Sequence, residues 1–387
     1  LATWESTLSS REPRFEPVAL RREEHRDRLA AALAEAIGRF DLDPGRWALP
    51  LSGGYDSRAI LALLDRRDAL RCVTWGLATS ADEPGNDAFV ARALAERFGV
   101  RHRYFETDLP GESGAEEVLS RFVAVGEGRI DHLSGYTDGF LIWKRLFESG
   151  VRGIIRGDEG FGWEPVRSAL DVRLSVGLVA LGDYAGSVGR AACDVPGHGV
   201  PDALGRRGGE TLATWRDRLY HTFRIPVVLA ALTALKTPYV EVASPLLAGS
   251  VLDVVRSEPD ELRTGKALFR EIVDGLVPDV PIAERSAIGA QEGILKTREV
   301  AAVLRDELAS GRCRGLVPDA VHDFALRGLE GRETGAAGRE RRRSPVGAMV
   351  RRVTGRLRAD PSLIAFRLFL ISRMNSLLSE DARTPCE

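Results

Sequence analysis

The order of apolar and polar positions divides the chain into short strands alternating with helices. Residues 18–37 mix charged and apolar positions at helical spacing and run into Gly38, where a helix cap is expected. Residues 47–51 read as a strand that breaks at Ser52-Gly53-Gly54-Tyr55-Asp56-Ser57 before a helix over 58–64. Further strands are expected at 70–75, 101–105 and 151–155, and helices at 86–98, 115–125 and 139–148. This alternation predicts an α/β fold built from stacked βαβ units with a mostly parallel sheet. Beyond Gly162 the pattern turns mostly helical. A Gly-rich, weakly periodic stretch covers 166–215, and stronger helices are expected at 226–236, 247–257, 265–275 and 296–309. A polar linker follows at 334–345, then an amphipathic helical pattern over 346–378. The expected organisation is an N-terminal helical segment (1–40), a central nucleotide-binding domain (41–290) and a helical C-terminal region with a basic linker (291–387). There is no internal repeat.

Composition narrows the function classes. The 387 residues are 44% hydrophobic and 28% charged, as in ordinary globular chains. Lys and Arg number 54 against 56 Asp and Glu, a net charge of -2 that gives no global reason for a nucleic-acid partner. The basic stretch from Arg339 to Arg358, with eight arginines, reads as a solvated linker and helix face, a peptide or acidic-partner contact being the minor reading. Cys72, Cys193, Cys313 and Cys386 form no C-x-x-C pair, which argues against a disulfide scaffold or thiolate zinc site and for reduced, cytoplasmic thiols. The six histidines have no H-x-x-x-H spacing. No apolar run reaches the roughly 18 residues of a membrane span; the longest, Ile225 to Leu235, predicts a buried helix, and Arg367 interrupts the apolar C-terminal stretch. The chain starts at Leu1, so the expectation is that it was processed or that something upstream is left out.

The break after the first strand carries the candidate chemistry. Ligands of open parallel sheets sit beyond the carboxyl ends of the strands. Gly53 and Gly54 let the backbone approach an anion, helix N-terminal amides favour phosphate oxygens, and Ser52 and Ser57 add hydroxyl donors. Asp56 supplies oxygens for a divalent cation. The loop is not a Walker A sequence.

Leu51-Ser52-Gly53-Gly54-Tyr55-Asp56-Ser57 resembles the SGGxDS pyrophosphate loop of the N-type ATP pyrophosphatases. Gly157-Asp158-Glu159-Gly160-Phe161-Gly162 resembles a DE-x-FGG segment, 240–247 (VEVASPLL) a VEARVPFLD segment, and Gly265-Lys266-Ala267-Leu268-Phe269-Arg270 a GK-x-x-LR segment. In this order over 47–290 they resemble the synthetase domain of the asparagine synthetase family. The resemblance implies a HUP-like, adenine nucleotide alpha hydrolase core with a mostly helical C-terminal extension. It also implies an ATP–Mg²⁺-dependent ligase that joins AMP to a substrate carboxylate, releases pyrophosphate and lets an amine displace AMP. By that carry-over the backbone of Leu51 to Ser57 and Gly157 cradle phosphate, Asp56 and Asp158 hold Mg²⁺, and Lys266 neutralises developing charge. Trp75 and Gly76 would contact adenine, although Trp75 on its own reads as core. Glu159 and Glu241 join Lys266 and Asp158 as catalytic candidates, Glu241 because a carboxylate in an apolar run is either salt-bridged or raised in pKa.

The match departs from the family pattern at several places. The family's G-E-G segment is replaced by Ile154-Ile155-Arg156-Gly157, and Trp163 stands where a second glycine is expected, so Asp158 could occupy the place of the family Glu. Ala243 and Ala248 stand where the family has Arg and Asp. Aspartate is therefore an uncertain substrate, and Asp131, His132 and Tyr136 in a loop over 130–138 are secondary candidates for substrate contacts. The family's glutaminase domain is not expected within this chain, whose first cysteine is Cys72, so ammonia is expected from a missing N-terminal portion, from solution or not at all. The amine is expected to be ammonia, glutamine-derived ammonia or the substrate's own amine, as in relatives that close a β-lactam or lasso-peptide ring. A homodimer or a separate glutaminase is the partner expectation, a small-molecule or peptide carboxylate the substrate, and a non-catalytic ATP-binding relative the alternative outside the enzymes.

Overall fold

In the computed structural model, residues 12–39, 43, 45–108, 114–138, 140–195, 199–329 and 355–381 are described. Five strands form one all-parallel sheet in the order β3-β2-β1-β4-β5: β1 Trp47–Pro50, β2 Arg71–Gly76, β3 Arg101–Glu106, β4 Gly153–Ile155 and β5 Glu241–Ala243. Ala48 pairs in register with Arg71 on one side and Ile154 on the other. The chain winds outward from β1 through β2 to β3, then returns to the other side for β4 and β5. The switch point of the sheet therefore lies at the carboxyl end of β1, where such folds bind ligands.

The sheet is covered on both faces, as parallel sheets require. Ala48, Val73 and Ile154 point into one core with Phe122, Trp143, Leu304, Phe366 and Phe369. Their neighbours Leu49, Cys72 and Ile155 point into the other with Leu33, Ile60, Leu94, Leu268 and Phe269. Alternate residues of a strand face opposite sides, so one three-residue segment serves both cores. The helix α1 (Arg22–Gly38), expected as a separate N-terminal segment, packs Leu29, Leu33 and Ile37 into the second core. Helix α2 (Tyr55–Leu63) follows β1 directly. Helix α3 (Asp87–Phe98) starts where the Asn86 side chain accepts from the Ala88 amide at 3.0 Å and ends at Gly99, whose φ of 66° suits glycine. Helices α4 (Ala115–Gly126) and α5 (Leu141–Glu148) lie before β4.

Three expectations change. A fifth strand, β5, was not read from the sequence because three residues carry too little pattern. The apolar run from Ile225 to Leu235 is α-helical only over Ala230–Ala234, where Ala231 and the following Leu235 are buried. It continues a π-helical stretch, Tyr220–Leu229, with Pro226 inside it, and leaves Ile225 and Val227 to Leu229 half-buried. Proline has no N–H to donate, and the wider π turn accommodates that loss. At the C-terminus, the helix Pro361–Asp381 contains 19 residues, Pro361 to Ser379, that are long and apolar enough to cross a membrane by composition. It is instead packed, with Phe366 and Phe369 fully buried, and its two internal arginines are ion-paired: Arg367 to Asp131 at 2.7 Å and Arg373 to Glu307 at 2.9 Å. The linker at 334–345 and most of the arginine run from 339 to 358 lie outside the described residues. Cys72, Cys193 and Cys313 are free thiols.

Candidate active site

The loop after β1 is held by its own hydroxyls. Ser57 Oγ accepts from the Ser52 amide at 3.0 Å and lies 3.2 Å from Ser52 Oγ, closing the turn into α2. Gly53 is packed so tightly that an added Cβ would meet the Ala283 Cβ at 2.4 Å and the Val90 Cβ at 2.9 Å. Its amide donates to Asp87 Oδ1 at 3.1 Å, and burial raises the Asp87 pKa. The segment 280–288 crosses this end of the sheet: the Ala283 amide donates to the Gly53 carbonyl, and the Leu77 amide to the Ala287 carbonyl at 2.9 Å. Between these walls is a cavity of about 320 Å³ lined by Leu51, Ser52, Asp56, Ser57, Thr74, Trp75, Asp87, Arg156, Gly157, Asp158 and residues 286–288. A shallower hollow over residues 206–211 shares none of these residues.

The exit of β4 brings the second set of groups. Gly157 lies against the first loop, and a Cβ there would meet the Asp56 Cβ at 3.0 Å and the Ser57 amide nitrogen at 3.2 Å. Arg156 Nη2 donates to Asp158 Oδ1 at 3.0 Å. Burial presses the Asp158 carboxyl upward, but Arg156 outweighs it and the pKa is lowered. Glu159 is buried, and one of its oxygens accepts from the Phe161 amide at 2.6 Å. Lys266 joins the two loops. Its Nζ donates to both Asp56 oxygens at 2.8 and 3.0 Å and lies 3.0 Å from Glu159 Oε1. Gly265 and Lys266, at φ 68° and 58°, turn the chain left-handedly into the helix Ala267–Leu276, which is what aims the lysine back at the loop. The Trp163 ring covers the ammonium at 5.6 Å. Burial pushes the Glu159 carboxyl up to about 7 against the pull of Lys266. Lys266 is itself raised, because Glu159 and Asp56 together outweigh its burial.

Of the residues expected from the sequence, Leu51, Ser52, Asp56, Ser57, Trp75, Gly157 and Asp158 line one cavity, with Gly53 and Gly54 in the same loop. Lys266 and Glu159 connect to it through Asp56. Trp75 also packs edge-on against Trp143 at 5.2 Å. Gly76 serves the wall: a Cβ there would come within 2.2 Å of the Ala287 carbonyl oxygen. Glu241 is a correction. It is the exposed first residue of β5, an edge strand, at the amino end of the sheet while the site is at the carboxyl end; its side chain reaches solvent and needs no buried partner. Asp131 is engaged by Arg367 and His132 is exposed. Tyr136 is buried, its hydroxyl accepting from Lys236 Nζ at 3.0 Å. Arg270, the last residue of the segment that contains Lys266, lies over the Tyr55 ring at 5.2 Å. Asp87, Arg156 and the 286–288 wall were not found from the sequence. Asp87 and Arg156 each follow a strand of the sheet, a position that could have flagged them.

Magnesium binds through one or two carboxylates together with phosphate oxygens. Asp56 fits that use: its side chain is 32% exposed, at a helix N-terminus, with oxygens that among the described residues are bonded only to Lys266. No group of three or more His, Cys, Asp or Glu side chains is arranged for a metal among the described residues.

Residues 26–142 match the asparagine synthase family model. This asparagine synthase match covers about a third of the chain, from α1 through β1–β3 into α5, and supports an ATP-dependent synthetase of ligase type. It ends before Arg156, Asp158, Glu159 and Lys266. No curated protein matches the chain.

Proposed function

We propose that the chain is an ATP-dependent carbon–nitrogen ligase that forms an acyl-adenylate and passes the acyl group to an amine. The observation that carries this reading is Lys266, held between the Asp56 carboxylate of the β1 loop and the Glu159 carboxylate of the β4 loop. In the reaction a carboxylate oxygen attacks the α-phosphorus, the bond from that phosphorus to the bridging oxygen breaks, and pyrophosphate leaves. An amine nitrogen then bonds to the acyl carbon, gives up a proton, and AMP departs.

The residues divide this work by position. The N-terminus of α2 and the Ser52 and Ser57 hydroxyls would face the leaving pyrophosphate, where helix N-terminal donors favour anions, while the Ser52, Gly53 and Gly54 amides hold the loop itself. Asp56 would hold a magnesium ion, which would supply Lewis-acid stabilisation of the phosphates. Lys266 is a compact charge for the oxyanions of both steps. Glu159, with its carboxyl near 7, is the group able to exchange a proton at Lys266 at neutral pH. Trp75 and residues 286–288 offer the apolar wall for the adenine. The test is release of pyrophosphate from ATP with a panel of carboxylates, each with ammonia, with glutamine and without added amine. Turnover that disappears in Asp56→Asn supports the reading. Turnover without added amine assigns the ring-closing form, and absence of pyrophosphate with every carboxylate contradicts it.

A further inference from the structure

The three acids of the β1 and β4 loops are not equally available to a cation. Asp56 and Glu159 share a single ammonium, that of Lys266. Two carboxylates against one positive charge leave room for a further cation. Asp158 is different. It has Arg156 to itself: Nη2 lies 3.0 Å from one oxygen and Nε 3.5 Å from the other. The pair is neutral as it stands. Both Asp158 oxygens are engaged, and its side chain is 14% exposed against 32% for Asp56.

A guanidinium fork matches a carboxylate in plane, and Arg keeps its charge at every relevant pH. Magnesium demands near-octahedral oxygen geometry and sheds water reluctantly, so it competes poorly for a carboxylate already held by two nitrogens. The same guanidinium lines the cavity, and its Nη1 hydrogen bonds to nothing among the described residues. Behind it, Lys236 is buried against Tyr136 and Trp143, where burial lowers its pKa well below the usual lysine value. Lys236 does not line the cavity, and Arg156 is the cation on that side of it.

We infer that this site takes its divalent cation on Asp56 alone, and that Asp158 is a positioning residue for Arg156, whose guanidinium stands in place of a second cation. The inference rests on the nucleotide-binding reading above, and it departs from the expectation that Asp56 and Asp158 share the metal.

The experiment is calorimetric titration of the whole chain with ATP over a series of Mg²⁺ concentrations. The wild type is expected to bind ATP with a Mg²⁺ dependence that Asp56→Asn removes, with affinity falling about tenfold or more. Asp158→Asn, which loosens Arg156, is expected to lower the affinity severalfold while keeping the Mg²⁺ dependence of the wild type. Arg156→Gln frees the Asp158 oxygens and is expected to steepen the Mg²⁺ dependence as a second ion enters. Arg156→Gln/Asp158→Asn, which leaves no unpaired buried charge, is expected to return to the wild-type slope. Loss of Mg²⁺ dependence in Asp158→Asn equal to that in Asp56→Asn overturns the inference, as does an unchanged slope in a folded Arg156→Gln. A wild-type chain that binds no ATP at any Mg²⁺ concentration overturns the nucleotide reading itself.

Discussion

Replacing Lys266 by Met removes the one cation between Asp56 and Glu159, and the consequence should depend on pH. Burial raises the Glu159 carboxyl from its ordinary 4.5 to about 7. A group raised in the folded state contributes stability that is present below its unfolded value and lost as pH rises through its folded value. At about 1.4 kcal/mol per unit, roughly 3 kcal/mol is lost by the wild type between pH 4.5 and 7. Without Lys266 the carboxyl stays protonated to higher pH, and the loss continues. At about pH 6 both proteins hold the proton, so Glu159 contributes no difference. At about pH 8.5 the variant carries about 1.5 units more, or roughly 2 kcal/mol. The Asp56 half of the bridge is a third exposed and adds less than about 1 kcal/mol after screening. Thermal unfolding should therefore show Lys266→Met close to wild type near pH 6 and several degrees lower near pH 8.5, with Lys266→Met/Glu159→Gln flat across the range. Equal destabilisation of the single variant at both pH values, or a double variant as pH-sensitive as the single one, refutes the reasoning.

Other consequences follow from close packing and burial. Gly157→Ala places a methyl 3.0 Å from the Asp56 Cβ; it should cost about 1–3 kcal/mol in thermal unfolding and weaken Mg²⁺–ATP binding in the same protein. Gly76→Ala meets the Ala287 carbonyl at 2.2 Å, backbone that cannot swing aside, and should lower the melting temperature more than Gly157→Ala does. Glu258 is buried, with one oxygen lacking any partner among the described residues, and burial pushes its carboxyl up to about 8. Its stability contribution is full below 4.5 and lost as pH rises through about 8, so Glu258→Gln should melt above wild type near pH 9, by up to about 5 kcal/mol, and match it near pH 5. A pH-independent difference between the two proteins contradicts this.

The strand–loop–helix at 47–64 was legible because three signals coincide there: an apolar run, a glycine pair and a helix of clear period. The parallel sheet followed from the alternation, and Gly99 marked the end of α3 as its left-handed φ requires. What escaped was set by long-range packing. β5 is three residues long and has meaning only beside β4. The 286–288 wall is irregular backbone held by hydrogen bonds to Gly53 and Leu77, more than 200 residues away in sequence. Glu241 looked buried because its neighbours are apolar, yet a strand turns alternate residues outward, and on an edge strand outward is solvent. Arg156 went unnoticed as a site residue because its partner lies two positions on, a spacing that signals nothing until the chain turns at Gly157.

The central claim, that the β1 loop and Lys266 serve cleavage of a nucleotide between its α and β phosphates, is tested most directly by phosphorus NMR of the products formed from Mg²⁺–ATP and a carboxylate mixture. AMP and pyrophosphate in equal amounts, both absent with Asp56→Asn, are the predicted result. ADP with inorganic phosphate contradicts it.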